Sequence, residues 1–394
     1  MGLTVSAEEI IRDRKILKRE KFLHLSRSSY IVSKIGILFM ISAIQTALFV
    51  LVGNSILEIK GMFLPYWGIL FSASCFANLV GLNISSAFNS AITIYILIPV
   101  LLIPQLILSG VVVKFDKLNP SIGNTATVPL VGDLMTSRWA FEALMVTQFK
   151  DNPFERQFYE WDQAMATSDY KKVYYLPELE SRLAYVQQNI RSADSLTDQT
   201  VDKNLVLLQT EIRKELAAIG KEDKFKPVDQ LTRMGYDSAL HREVTKFIAT
   251  LKRYYLLKYE RAEKEKQGYI TRLTATPAGE KAYERDRLAY QNEAINELVR
   301  NTVELNRVIE KDGELVQKIF PIYKTPEPDH WVDFKAQFYM PAKHFLGSNI
   351  STLLFNLLVI WAMTWLLAVA LYFEWLRKVI DSLGSIGNPI PKRM

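Results

Sequence analysis

Apolar positions in this chain gather into four long runs, set apart by charged segments except between the second and third, where only the short polar stretch of residues 86–90 intervenes. Ile35–Leu57, Met62–Ser85, Ala91–Val113 and Ile350–Phe373 contain no Asp, Glu, Lys or Arg, and each holds 23 or 24 residues. At ~1.5 Å of rise per residue, that length crosses a hydrocarbon core of ~30 Å. The pattern predicts an all-α membrane protein with four transmembrane helices. The first run lies too far from the start, and lacks the small-residue cleavage site, to be a secretory signal.

The runs differ in character. The second is rich in small and polar residues (Ser72, Ser74, Asn78, Gly81, Asn83, Ser85), the side chains that pack helix on helix in lipid. The third contains Pro99 and Pro104, which predict a bend or break. The fourth carries Trp361 and Trp365, with Trp375 just beyond, as in a lipid-facing anchor with an aromatic belt. None holds an acid, base or histidine, which argues against a proton relay at depth.

Residues 1–34 predict a charged helix. Ser6 and Glu9 have capping-box spacing. Ile10, Leu17 and Phe22 can share an apolar stripe, and "SRSS" at Ser26–Ser29 loosens the helix before the first run. Residues 114–154 predict a turn and a short amphipathic helix, "LMTSRWAFEALMVTQF". Residues 155–349 predict a large helical insertion between the third and fourth spans. Its three long helices would run Pro177–Ile219, Asp229–Gln267 and Pro277–Lys311, broken by Gly220, Gly268 and Pro277. Val201, Leu205, Leu208, Ile212 and Ile219 fit one heptad seam, and Leu288, Ile295, Leu298, Leu305 and Ile309 a second, so a coiled-coil-like hairpin is expected. Residues 350–373 form the last span and 374–394 a tail.

Charge sets the topology. Residues 1–34 carry eight Lys/Arg against four Asp/Glu, and the tail four against two. The segment 114–349 is balanced at 35 of each, so the net +6 comes from the two ends. The positive-inside rule then puts both termini in the cytoplasm and the insertion outside. The single cysteine, Cys75, lies within the second run, so the exterior segment cannot be disulfide-stapled. A bacterial inner membrane with a periplasmic insertion is the expected setting.

The sequence offers little for catalysis. The four histidines, His24, His241, His330 and His344, have no partner at metal-ligand spacing. No phosphate-binding G-x-x-x-x-G-K-[ST] loop occurs. Basic residues in runs such as "RAEKEKQ" alternate with acids, which disfavours nucleic acid. No catalytic residue and no metal ligand is assigned, and the chain reads as a non-enzyme.

The order of parts (charged helix, three closely spaced spans, exterior segment, last span, basic tail) resembles the later part of the transmembrane domain in the G subfamily of ABC transporters. "EEIIRDRKILKREKFLHLSRSSYIVSKI" is similar to that family's coupling helix and the start of its third span, with Leu17, Arg19, Glu20 and Tyr30 at the matching positions. "LILSGVVVKFDKLNP" resembles the exit from its fifth span, and "SRWAFEALMVTQF" its re-entrant exterior helix. "MGLTV" looks like the end of the family's second span, so Met1 reads as an internal methionine of a longer polypeptide.

The resemblance implies a permease that works with an ABC nucleotide-binding domain and a second copy of the transmembrane domain, within membrane lipid. No cofactor is bound by this chain. ATP and Mg would act through a nucleotide-binding domain that the sequence lacks. Arg12, Arg14, Lys18, Arg19 and Glu20 would couple to that domain. Thr93, Tyr95, Ile98, Pro99 and Gln105 would line the translocation pathway. Arg138, Trp139 and Glu142 would mark the re-entrant helix. The insertion is larger than the family's usual loop, and an alternative is a membrane anchor or mechanotransmitter whose exterior helices bind envelope proteins.

Overall fold

The computed structural model describes residues 2–20, 26–88, 90–118, 127–191, 195–221, 225–328, 330–331 and 333–387. Within its helices, the side chains of Arg14, Lys15, Leu17, Lys18, Glu20, Asp116, Ser195 and residues 383–387 lie outside those described, as do Phe22 and His24 entirely. The chain divides into two compact units, Met1–Asn152 with Pro326–Met394, and Pro153–Thr325.

The first unit begins with α1 (Gly2–Glu20), α2 (Arg27–Ile56), α3 (Phe63–Ala87), α4 (Ala91–Ile107), α5 (Leu130–Asp133) and α6 (Thr136–Lys150). The second contains α7 (Tyr159–Tyr170), α8 (Leu176–Asn189), α9 (Ser195–Ala218), α10 (Ser238–Leu273), α11 (Pro277–Tyr290), α12 (Glu293–Arg300), β1 (Val308–Lys311) and β2 (Glu314–Gln317). The chain then completes the first unit with β3 (Ala342–Phe345), β4 (Ser348–Ser351), α13 (Thr352–Tyr372) and α14 (Trp375–Gly387). The fold is mostly helical, with β1–β2 and β3–β4 as separate antiparallel hairpins.

In the first unit α3 is the central helix, touching α1, α2, α6 and α13. Its apolar window is 56% buried, against 17% for α2 and 22% for α13. The small and polar residues of α3 account for this. Asn78 donates to Ser42 Oγ (2.7 Å) and to Leu38 O (3.3 Å) on α2, and Ser74 donates to Ser42 Oγ (2.9 Å). Asn83 donates to Leu367 O on α13 (2.9 Å), and Trp361 of α13 returns a bond to Ser72 Oγ (3.0 Å). Polar side chains in an apolar bundle must find such partners, so they fix which faces meet.

α1 starts earlier than the capping-box reading expects. Ser6 is completely buried in mid-helix, and its hydroxyl donates back to Gly2 O (2.7 Å) instead of capping. The residues before it are held in helix by packing. Leu3 and Ala7 bury against Ile84, Ile94 and Ile98, and Ile10 and Ile11 donate their amides to Ser85 Oγ (3.1 and 3.0 Å). The first half of α1 thus lies along α3, and only its later half carries the dense charge.

Among the described residues three helices, α2, α3 and α13, are long and apolar enough to cross a membrane. The third apolar run is helical only over the 17 residues of α4, ~25 Å of rise, short of a ~30 Å core. Pro104 cannot donate within the last turn, and the helix stops three residues later. Ser109 then folds back, donating to Leu106 O (2.7 Å) and accepting from Val111 N (3.3 Å).

In the second unit α7 runs into α8 through a five-residue π-helical segment, Lys171–Tyr175. Leu176, Leu179, Leu183 and Val186 bury, as do Val201, Leu205, Leu208 and Ile212 of the first expected seam. Lys171 and Tyr175, the ends of the π segment, meet two buried acids of α9. Lys171 Nζ lies 2.5 Å from Glu215 Oε2, and Tyr175 donates to Glu211 Oε2 (3.0 Å). Glu211 Oε1 also accepts from Leu315 N of β2 (2.8 Å), which ties the β1–β2 hairpin to α9.

The other expected helices differ. The first divides between α8 and α9, and the third stops at Tyr290 and restarts at Glu293, where Asn292 caps the new start by accepting from Ile295 N (3.1 Å). Asn301 then ends α12 in the left-handed conformation. Leu288 and Leu305, placed in the second seam, are 79% and 93% exposed, and Ile309 lies in β1. The physical reason is "KDGE": Asp312 and Gly313 take φ of 53° and 81°, closing a hairpin in which Lys311 faces Glu314.

Candidate functional site

Arg138 and Glu142 stand four residues apart on α6, so they share a face. That face meets β3 and the second turn of α13. Lys343 Nζ donates to Glu142 Oε1 (3.0 Å), which also accepts from Tyr339 N (3.2 Å). Asn356 on α13 donates to Glu142 Oε2 (3.0 Å) and to Trp139 O (2.9 Å). Arg138 lies 3.6 Å from Glu142 Oε2 and 3.3 Å from Asp133 Oδ1, with its guanidinium carbon 3.7 Å from the centre of the Trp139 ring. Trp139 in turn donates to Asp133 O (2.7 Å) and packs with Phe355. Arg138, Glu142, Lys343 and Asn356 are all buried, and with the partly exposed Asp133 the cluster holds two acids and two bases and is formally neutral.

Burial opposes ionisation of Glu142, but the Lys343 ammonium, the Arg138 guanidinium and the Asn356 bond outweigh it and hold the carboxyl below its usual range. Burial lowers Lys343 to about 8, with Arg138 adding repulsion against the attraction of Glu142. Burial raises Asp133. At neutral pH the Lys343–Glu142 pair is therefore charged. It joins α6 to the hairpin that leads into α13, which suits a mechanical joint. Among the described residues no three His, Cys, Asp or Glu converge as a metal would require.

A second joint lies at α1. Lys34 of α2 reaches Glu9 (2.6 Å) and Asp13 (2.7 Å), Arg12 pairs with Glu9 (2.8 Å), and Tyr30 donates to Asp13 Oδ2 (3.2 Å). Of the residues expected to couple, Arg12 and Arg19 are exposed, while the side chains of Arg14, Lys18 and Glu20 lie outside those described. Of the expected pathway residues, Thr93, Tyr95 and Pro99 face outward on α4, whereas Ile98 packs inward beside Ile94. Gln105 binds α6: its Oε1 accepts from Ser137 N (3.2 Å) and its carbonyl from Ser137 Oγ (2.6 Å).

The three residues expected on the re-entrant helix are thus brought together, and Asp133, Lys343 and Asn356 join them unforeseen. The available signal was thin: Lys343 is a lone charge in "YMPAKHF", and Asn356 a lone amide in an apolar run. Lys34 likewise sits at the edge of the first run.

No curated protein and no solved structure matches the chain. Residues 1–149, covering α1 to the last turn of α6 but neither Lys343 nor Asn356, are similar to the family of ABC-2 type transporters, and this match, with three helices among the described residues long and apolar enough to cross a membrane, indicates an integral membrane protein.

Proposed function

We propose that the chain is the transmembrane permease portion of an ATP-driven exporter, of the G-subfamily type, moving a substrate out of the cytoplasm. The observation that carries this reading is the family match over 1–149 together with the seat of α1. One half of that helix is packed along the central helix α3, and the other half presents exposed Arg12 and Arg19. Force applied at the charged half by a nucleotide-binding domain would pass directly to α3. In this reading α4 makes the fourth crossing, both termini are cytoplasmic, two copies of the domain pair, and ATP with Mg binds a separate or upstream domain. The experiment is purification of the full native gene product from mild detergent with an ATPase assay. A vanadate-sensitive ATPase, co-purifying or covalently attached, supports the permease; a stable assembly without one sinks it.

A second reading is favoured by the separate core of Pro153–Thr325. The chain would then be a membrane anchor or mechanotransmitter displaying that unit to envelope proteins. Activity retained after deletion of residues 155–325 would remove it.

A further inference from the structure

The tail after the fourth apolar run is a helix, α14, and its surface is two-sided. At 100° per residue, Trp375, Val379, Leu376 and Ile380 fall within one arc of about 140°. Arg377, Asp381, Lys378 and Ser382 occupy the rest of the turn. The inner edge of the apolar arc is accounted for: Leu376 packs on the cluster of Leu3, Ala7, Ile84, Ile94 and Ile98. The outer edge is not, since Trp375 is 46% and Val379 54% exposed.

We infer that α14 lies in the surface layer of the bilayer, with the Trp375–Val379 edge in lipid and Arg377 and Lys378 at the phosphate groups. Chain continuity supplies the occupant. α13 ends at Tyr372 and α14 begins at Trp375, so the helix starts at the end of a 21-residue apolar helix. The inference rests on the reading of α13 as a spanning helix. Glu374 makes the corner, with a φ of 53°, and is held by Arg27 of α2 at 2.9 Å. Around the corner Tyr372, Phe373 and Trp375 are exposed, with Phe373 stacked on Trp375 at 6.2 Å, which is the aromatic composition of a membrane–water boundary. The cations at this level are weakly held by protein. Arg377 is 3.9 Å from both Glu374 and Asp381, and Lys378 makes no ion pair among the described residues. An amphipathic helix with an apolar edge, a basic flank and an aromatic start binds the headgroup–acyl boundary.

The test uses the full chain in vesicles of phosphatidylcholine and phosphatidylglycerol. Single cysteines at Val379→Cys, Lys378→Cys and, on the exposed middle of α13, Ala362→Cys are labelled with a small fluorophore; buried Cys75 gives the wild-type blank. Nitroxide lipids carrying the quencher near the headgroup or deep in the chain report depth, and iodide on both sides reports water. The expected result is that V379C is quenched about twofold more by the shallow than by the deep nitroxide. K378C should be quenched mainly by iodide, and A362C mainly by the deep nitroxide. V379C quenched by iodide alone, or shielded from every quencher, overturns the inference when A362C still reports lipid. Loss of lipid quenching at A362C overturns the spanning reading as well.

Discussion

Lys343 Nζ sits 3.0 Å from Glu142 Oε1, and neither side chain has any exposed surface. Ions so placed give up their hydration, and their attraction repays this only while both are present. Removing one partner strands the other. We expect Glu142→Ala to destabilise the protein by about 3–5 kcal/mol, and the double replacement of Glu142 and Lys343 by methionine to recover much of that loss. Thermal unfolding in detergent of the wild type, Glu142→Ala, Glu142→Met, Lys343→Met and the double methionine variant checks it. Additive losses would show that the pair does not act as a unit.

The same pair predicts a pH dependence on both sides of neutrality. The folded pKa of Glu142 lies below its ordinary 4.5, so its contribution is present above that value and fades as pH falls through the folded pKa. Lys343 is lowered from 10.5 to about 8, so between those values the unfolded chain holds the extra proton and stability from this group rises with pH. The difference in unfolding temperature between wild type and Glu142→Gln should narrow below pH 4.5. From pH 8 upward the wild type should gain on Lys343→Met. A flat difference across either window contradicts the assignment for that group.

Gly81 is where α1 touches α3. A Cβ there would stand 2.0 Å from Ser6 Oγ, 2.8 Å from Leu3 O and 2.9 Å from Ala7 N. The serine can move, but the backbone atoms cannot without displacing the helix. Gly81→Ala should therefore cost about 1–3 kcal/mol and push α1 off α3, and Ser6→Ala should relieve only part of it. If the permease reading holds, ATP hydrolysis in Gly81→Ala should continue while transport per ATP falls. The readout is the ratio of the two in reconstituted vesicles.

Much of the first unit was legible in the sequence. Uncharged runs of spanning length marked α2, α3 and α13, and the polar content of the second run marked α3 as the helix others pack against. What could not be read was contact between distant segments. Nothing near Glu142 in sequence points to Lys343 or Asn356, some two hundred residues later. Ser6 and Glu9 had the spacing of a cap, but tertiary packing of Leu3 and Ala7 extended the helix past them. In the second unit the heptad pattern of Leu288–Ile309 gave way to capping and turn chemistry at Asn292, Asn301 and Asp312–Gly313, local signals that a helical period alone overlooks.

Asn78 offers a simpler test of the bundle. It joins α3 to α2 through Ser42 and Leu38, and its side chain is buried in an apolar setting. Asn78→Leu should cost about 0.6–2 kcal/mol, the range for polar contacts between helices in lipid, measured as the loss of unfolding temperature in detergent. An unchanged value would mean that shape, not hydrogen bonding, seats α2.

Gly313 separates the hairpin from the expected long helix by the sign of one substitution. Were residues 277–311 a continuous helix running on through the glycine, Gly313→Ala would stabilise it by up to about 1 kcal/mol, the difference in helix propensity. In the hairpin, Gly313 holds a φ of 81°, where a Cβ collides with the following peptide and costs about 1–2 kcal/mol. Asp312, at 53°, tolerates asparagine in the same conformation, so Asp312→Asn should change little. The strands are not free to slip in response, because Leu315 N is held by buried Glu211 and the register pairs Val308 with Gln317. Hydrogen exchange over residues 308–317 of the full chain reads the local effect: faster exchange in Gly313→Ala with Asp312→Asn unchanged is the hairpin result. Slower exchange in Gly313→Ala would restore the helix.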